Sequence, residues 1–210
     1  MSRLIKVSII YYSATGTVHS LATSARDEAA AMDDVEVRLR KVEELAPAAA
    51  IKSNEAWAAH VDATSDIREA SLEDLGWADV VMLGSPTRYG LPTSQLKQFI
   101  DITGPMWEAG QLVNKVATSF TASATLHGGQ ESTILAMNNA FYHWGCIIVP
   151  PGYVTQSQFE SGNPYGTSHV SGTPNQPLPG PTQQRAIRFQ TRRAVDVARA
   201  LQIGGISSAS

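Results

Sequence analysis

The sequence predicts an α/β fold: a doubly wound, five-stranded parallel sheet in the order 2-1-3-4-5, with a Pro/Gly-rich insertion after the fifth strand. Three observations carry this reading. Apolar, β-branched runs alternate with segments whose apolar residues recur at helical spacing, which is the rhythm of βα units. The first run ends in a hydroxyl-rich loop that leads straight into the first helical pattern. Polar loops rich in Gly, Ser and Thr follow the third and fourth core runs too, at the strand ends where such sheets gather their ligand sites.

Taken in order, residues 4–12 read as a buried strand. Val18, Leu21, Ala22, Ala25, Ala29 and Met32 then mark one face of a helix. Residues 35–40 alternate apolar and polar, as an edge strand does, and 46–71 is Ala-rich and read as irregular with one weak helix. Residues 80–84 form the third strand, followed by a helix over 94–102 with Leu96, Phe99 and Ile100 on one side. The fourth strand is 116–120. The helix after it spans 132–144 and carries Ile134, Leu135, Ala136, Met137 and Phe141. Residues 146–149 make the fifth strand. The insertion, a long loop at 150–181, holds seven of the eleven prolines and five glycines without periodicity. A C-terminal helix at about 182–203 closes what reads as one domain, 1–210.

Composition narrows the class. Hydrophobic residues make up 43% and charged residues 17%, which suits a folded domain, and the net charge of −3 gives nucleic acid or an anionic membrane no purchase. No apolar run is long enough to span a bilayer, and the start is strand-like without a signal-peptide cleavage pattern; the expectation is a cytoplasmic protein. Cys146 has no partner for a disulfide and reads as a buried thiol. His19, His60, His127, His143 and His169 lack metal-ligand spacing, so no metal is expected. Arg185, Arg188, Arg192 and Arg199 recur along the last helix; a solvated face is preferred over a nucleic-acid stripe.

The chemistry lies in the loops. Ser13-Ala14-Thr15-Gly16-Thr17-Val18 joins the first strand to the first helix, and a helix N-terminus is an anion site. Three hydroxyls add donors, and Gly16 permits close backbone approach. A ligand-free helix cap would need only one hydroxyl. No Lys follows, as a nucleoside-triphosphate loop requires, and there is no G-x-G-x-x-G for a dinucleotide. What remains is a single phosphate held by hydroxyls and amides, the way flavodoxins hold FMN. The second loop, Gly84-Ser85-Pro86-Thr87-Arg88-Tyr89-Gly90, offers a hydroxyl, a cation and a ring. The third, Thr121-Ala122-Ser123-Ala124-Thr125-Leu126-His127-Gly128-Gly129-Gln130, suits a planar polar ligand. Tyr11 and Tyr12 read as packing.

With Tyr11-Tyr12-Ser13, Pro86-Thr87-Arg88-Tyr89-Gly90, Gly104-Pro105-Met106-Trp107, Gly128-Gly129-Gln130-Glu131, residues 143–150 and Asn163-Pro164-Tyr165-Gly166 in view, the chain resembles the WrbA family of flavodoxin-like NAD(P)H:quinone oxidoreductases over nearly its whole length. The resemblance implies FMN, NADH or NADPH as donor, a quinone substrate and a homotetramer. It puts the FMN phosphate on residues 13–18. Pro86, Thr87, Arg88, Tyr89 and Gly90 would line one side of the isoalloxazine, and Ser123, Ala124, Thr125, His127 and Gly128 the other. His143 would border the ring, and Trp107 would reach the substrate face from a neighbouring subunit.

The chain also departs from the family pattern. Ala14-Thr15-Gly16-Thr17 stands where members often have Met-Tyr-Gly-His, so Thr15 replaces a Tyr associated with the nicotinamide cofactor. Thr17 remains a competent phosphate ligand. His-His-Gly becomes His143-Trp144-Gly145, and the third loop gains a residue around Leu126-His127. His127 is either a flavin neighbour or an exposed loop residue, the second being preferred. The implied activity is two-electron reduction of quinones to hydroquinones, ping-pong on one flavin face, with no obligatory side-chain acid or nucleophile. The alternatives are a flavodoxin-type one-electron carrier and a flavodoxin-fold interaction or regulatory protein.

Overall fold

A computed structural model describes residues 3–173 and 178–206. Its centre is β1 (Ile5–Tyr11), whose residues alternate between the two faces of the sheet. Val7, Ile9 and Tyr11 enter one apolar core and Ile10 the other. On one side β1 pairs in parallel with β2 (Val35–Lys41), on the other with β3 (Val80–Pro86), and β3 pairs with β4 (Val116–Ser123). With β5 (Ile147–Ile148) the order is β2-β1-β3-β4-β5, as expected. Every residue of β4 is buried, whereas β2 is only partly covered, consistent with its place at the edge.

The helices cover both faces. α1 (Thr17–Ala30) packs through Leu21, Ala22 and Ala25 into the same core as Ile187, Ala194 and Val195 of α9 (Pro181–Ile203). The opposite core takes Leu96 and Phe99 from α5 (Ser94–Asp101), with Met137 and Phe141 from α7 (Gln130–Trp144). Cys146 is half-buried rather than enclosed; burial nevertheless pushes its thiol up to about 12.

Several expectations need correction. Residues 46–71 hold two short helices, α2 (Ala48–Lys52) and α3 (Glu55–Ala63), and α4 (Leu72–Trp77) follows. α3 and α4 are set by local side-chain caps rather than by an apolar stripe, while α2 starts after Pro47 without one. Asn54 accepts from Trp57 N at 3.1 Å, and Ser71 and Asp74 form a reciprocal capping box. The Trp107 segment is a short helix, α6 (Gly104–Glu108), with Pro105 in its first turn.

The insertion is not structureless. It carries α8 (Gln156–Ser161) and a further strand, β6 (Ser168–Val170). The fifth sheet position is therefore divided: β5 pairs with Val116 and Ala117, and β6 with Thr121, Ala122 and Ser123, both in parallel. That pairing carries β4 beyond the expected end at 120 into the third loop. Buried Gln190 of α9 clamps the return, donating to Thr118 Oγ1 at 2.7 Å and to Ser119 O at 2.8 Å while accepting from Thr167 N at 2.7 Å. Such a strand is held by polar contacts, so it leaves no apolar run in the sequence. Residues 174–177 of the predicted loop lie outside the described residues.

Candidate active site

β1 delivers the first loop. Tyr12 stays in register through its N–H to Gly84 O (2.9 Å), and the chain then turns at Ser13, whose Oγ accepts from Gly16 N at 3.1 Å. Gly16 has φ +96°, a conformation that disfavours any side chain, and α1 starts at the next residue. Among the described residues no side chain caps that helix, so its first-turn N–H groups keep their capacity for a ligand. The Thr17 hydroxyl is buried and has no hydrogen-bond partner among the described residues. A buried orphan beside an uncapped helix N-terminus is what a phosphate monoester would satisfy, so these residues fit the phosphate end of FMN.

The second and third loops are tied together. Thr87 N donates to Ala122 O (2.9 Å), Thr133 Oγ1 to Thr87 Oγ1 (2.8 Å), and Gly90 N to Thr87 Oγ1 (3.1 Å). Gly129, at φ +86°, lies so close that a Cβ there would run into Gly90 Cα. Arg88 and Leu91 exchange two backbone hydrogen bonds, which pushes Tyr89 fully into solvent at φ +55°. A tyrosine held in the left-handed region costs about 1–3 kcal/mol and is a mark of functional loops. In the third loop Ser123 Oγ donates to Thr125 O (2.7 Å) and accepts from Gln130 Nε2 (2.7 Å).

Together the loops enclose a cleft of about 460 Å³, a size typical of small-molecule sites. Ser13, Ala14, Thr15, Thr17 and Val18 line one end; Pro86, Thr87, Arg88 and Tyr89 line a second wall; Ser123, Ala124, Thr125 and Gly128 a third. Gly16 and Gly90 shape the turns without lining the cleft, and His127 is exposed outside it. His143 and Trp107 lie elsewhere, together in a separate hollow with Thr103, Gly104 and Trp144. Ser171 joins the lining although the sequence did not single it out. It reaches the cleft because β6 continues into Ser171 N–H···O Ser123 at 2.8 Å, and its trace in the sequence is no more than the short, mostly polar segment Ser168-His169-Val170-Ser171.

Glu44, also missed, braces the first loop from behind. It accepts from Tyr12 Oη (2.8 Å), Trp57 Nε1 (3.1 Å), Gln95 Nε2 (2.8 Å) and Ala46 N (3.0 Å). Burial works to raise its carboxyl, but these donors outweigh it and hold Glu44 below the usual carboxylate range. Burial also depresses His19 and lowers His60 to about 4. The unfolded chain protonates His60 near about 6.5, so it binds more protons than the folded chain between these values, and stability falls as pH drops through that window. His60→Gln should therefore lose less of its urea midpoint than the parent between about pH 7 and about pH 4.5. Equal losses would contradict this.

Residues 5–161 match the family model described as NADPH-dependent FMN reductase. The chain belongs to this family. The match to the NADPH-dependent FMN reductase family runs from β1 to the end of α8 and so contains all three cleft loops, leaving Ser171 beyond it. The chain is 40% identical to the NAD(P)H dehydrogenase (quinone) of Deinococcus radiodurans, covering 96% of this chain and 99% of that one. It is 36% identical to the protein of the same name from Syntrophus aciditrophicus, over 92% and 97%. A flavodoxin, WrbA-like protein from Agrobacterium tumefaciens shares the fold with TM-score 0.64 at 22% identity, covering 93% of this chain and 98% of that one. The WrbA-type resemblance read from the motifs agrees with these family relations.

Proposed function

We propose that this chain catalyses the FMN-dependent two-electron reduction of quinones to hydroquinones with NAD(P)H as donor. The observation that carries the reading is the orphaned Thr17 hydroxyl at an uncapped helix N-terminus, placed at one end of a cleft built by three strand-end loops. FMN held here would supply the redox chemistry: the hydride of NAD(P)H, passed on by way of the flavin, together with one proton from solvent converts the quinone to hydroquinone. The protein's part is placement. Thr17 and the first-turn amides of α1 hold the phosphate, while Pro86, Thr87 and Arg88 set one side of the ring and residues 123–128 the other. Tyr89, projecting at the cleft mouth, borders the space where donor and quinone take turns, so turnover is ping-pong.

His143 and Trp107 share an exposed hollow away from this cleft, so each meets a flavin only across a subunit boundary. This supports a homotetramer in which a neighbour completes the substrate face, to be checked by light scattering. With NAD(P)H as donor the enzyme works in the cytoplasm; among the described residues no helix is long and apolar enough to cross a membrane. Since no side chain acts as nucleophile or obligatory acid, His143→Ala should lower kcat/KM by about tenfold at most. Complete loss of turnover with FMN still bound would refute that role. The function itself is tested by removing and restoring FMN. Apoprotein should fail to couple NADH oxidation to benzoquinone reduction, FMN should restore it, and initial rates against both substrates should give parallel double-reciprocal lines.

A further inference from the structure

On the other side of the first loop lies a second hollow, of about 650 Å³, that the proposed reaction does not use. Thr15 lines both, so the two are neighbours across one residue. Ala56 and Ala59 of α3 give it an apolar wall, and His19 and His60 contribute rings 5.2 Å apart. Burial lowers both imidazoles, to about 4 for His60, so the wall offers rings tilted against each other rather than cations. Ser20 and Thr23 add hydroxyls.

The rim supplies the charge. Most of the basic stripe on α9 is engaged within the chain: Arg185 with Glu160, Arg192 with Glu28, Arg193 with Pro150 O and Arg199 with Asp196. Arg188 alone in that stripe has no hydrogen-bond or ion-pair partner among the described residues, and it faces this hollow. Asp27, the acid on the wall, is paired with Arg26. Uncharged rings, hydroxyls and one unpaired guanidinium match an adenosine phosphate: a flat base, ribose hydroxyls and an anion that arginine binds in a forked geometry.

We propose that this hollow seats the adenosine diphosphate half of the dinucleotide donor, with Arg188 on its phosphates, while the nicotinamide half passes Thr15 and extends along the flavin cleft, beyond the phosphate end, to the ring. This rests on the NAD(P)H reading above. It also gives Thr15, which lines both hollows, a role as the sill between them.

Calorimetric titration of the FMN-loaded protein with ADP-ribose, which lacks the nicotinamide, tests the assignment. One site is expected, weakened about tenfold in Arg188→Ala. Arg185→Ala, on the same helix but paired with Glu160, should bind as the parent does. ADP-ribose should compete with NADH, and Arg188→Ala should raise the KM for NADH by a similar factor. Reduced nicotinamide mononucleotide, lacking the adenosine half, should show no such rise. Absence of ADP-ribose binding, or equal affinity in Arg188→Ala, overturns the proposal. Binding without competition against NADH also overturns it, marking a separate nucleotide site. If ADP-ribose binds through Arg188 but NADH never reduces the flavin, the nucleotide seat stands and its role as a donor site falls with the proposed activity.

Discussion

Thr17→Val should weaken FMN binding by about tenfold to a hundredfold while leaving the apoprotein as stable as the parent, or more stable by about 1 kcal/mol. The two effects have opposite signs for one reason. In the protein without FMN the Thr17 hydroxyl is buried without a partner among the described residues, a burden that an isosteric methyl removes. On the proposed reading that hydroxyl donates to the charged phosphate of bound FMN, and hydrogen bonds to charged groups are worth about 1.5–3 kcal/mol, which sets the fold-change. Fluorescence titration of apoprotein with FMN and urea unfolding of the same preparation give both readouts. Unchanged FMN affinity, or an apoprotein destabilised by the substitution, would show that the hydroxyl does not face the phosphate.

Gly166→Ala should destabilise the fold by roughly 3 kcal/mol or more and open the wall of the cleft. A Cβ at Gly166 would sit inside the contact distance of the Ser119 carbonyl oxygen, with Ile134 Cδ1 at 3.0 Å on the other side. Ser119 O is backbone of a fully buried strand and already accepts from Gln190, so it has nowhere to go. The insertion must withdraw instead. Thr121 N–H to Thr167 O (3.0 Å) and Thr167 N–H to Gln190 would then lengthen or break. β6 positions Ser171, so FMN affinity should fall alongside the urea midpoint. A variant that keeps both would mean the return segment is not packed on β4 as described.

Much of the site was legible because its chemistry is local in sequence. A buried run, a hydroxyl-rich turn and a helical stripe follow one another within residues 4–32, and each reports its own conformation through periodicity or turn residues. The order of the sheet followed from that rhythm. What escaped depends on contacts between distant residues. Glu44 becomes a brace only when Gln95, fifty-one positions away, and Trp57 are brought to it. β6 exists because Gln190 and β4 give a polar three-residue segment something to pair with, a relation no window of sequence contains. The short helices α2, α3 and α4 present too few turns for a stripe to show; α3 and α4 start at the caps Asn54 and Ser71, and α2 follows Pro47. His143 and Trp107 were linked to the flavin by family likeness; their common hollow lies off the cleft of their own chain, which is why a neighbouring subunit enters the proposal.

The most direct test of the account is an anaerobic one with the FMN-loaded protein. NADH should bleach the visible flavin absorbance, and benzoquinone added afterwards should restore it in a single phase with one equivalent of hydroquinone formed per flavin. Failure of NADH to bleach a firmly bound flavin, or recovery only with one-electron acceptors, would contradict a quinone reductase and favour an electron carrier on the same fold.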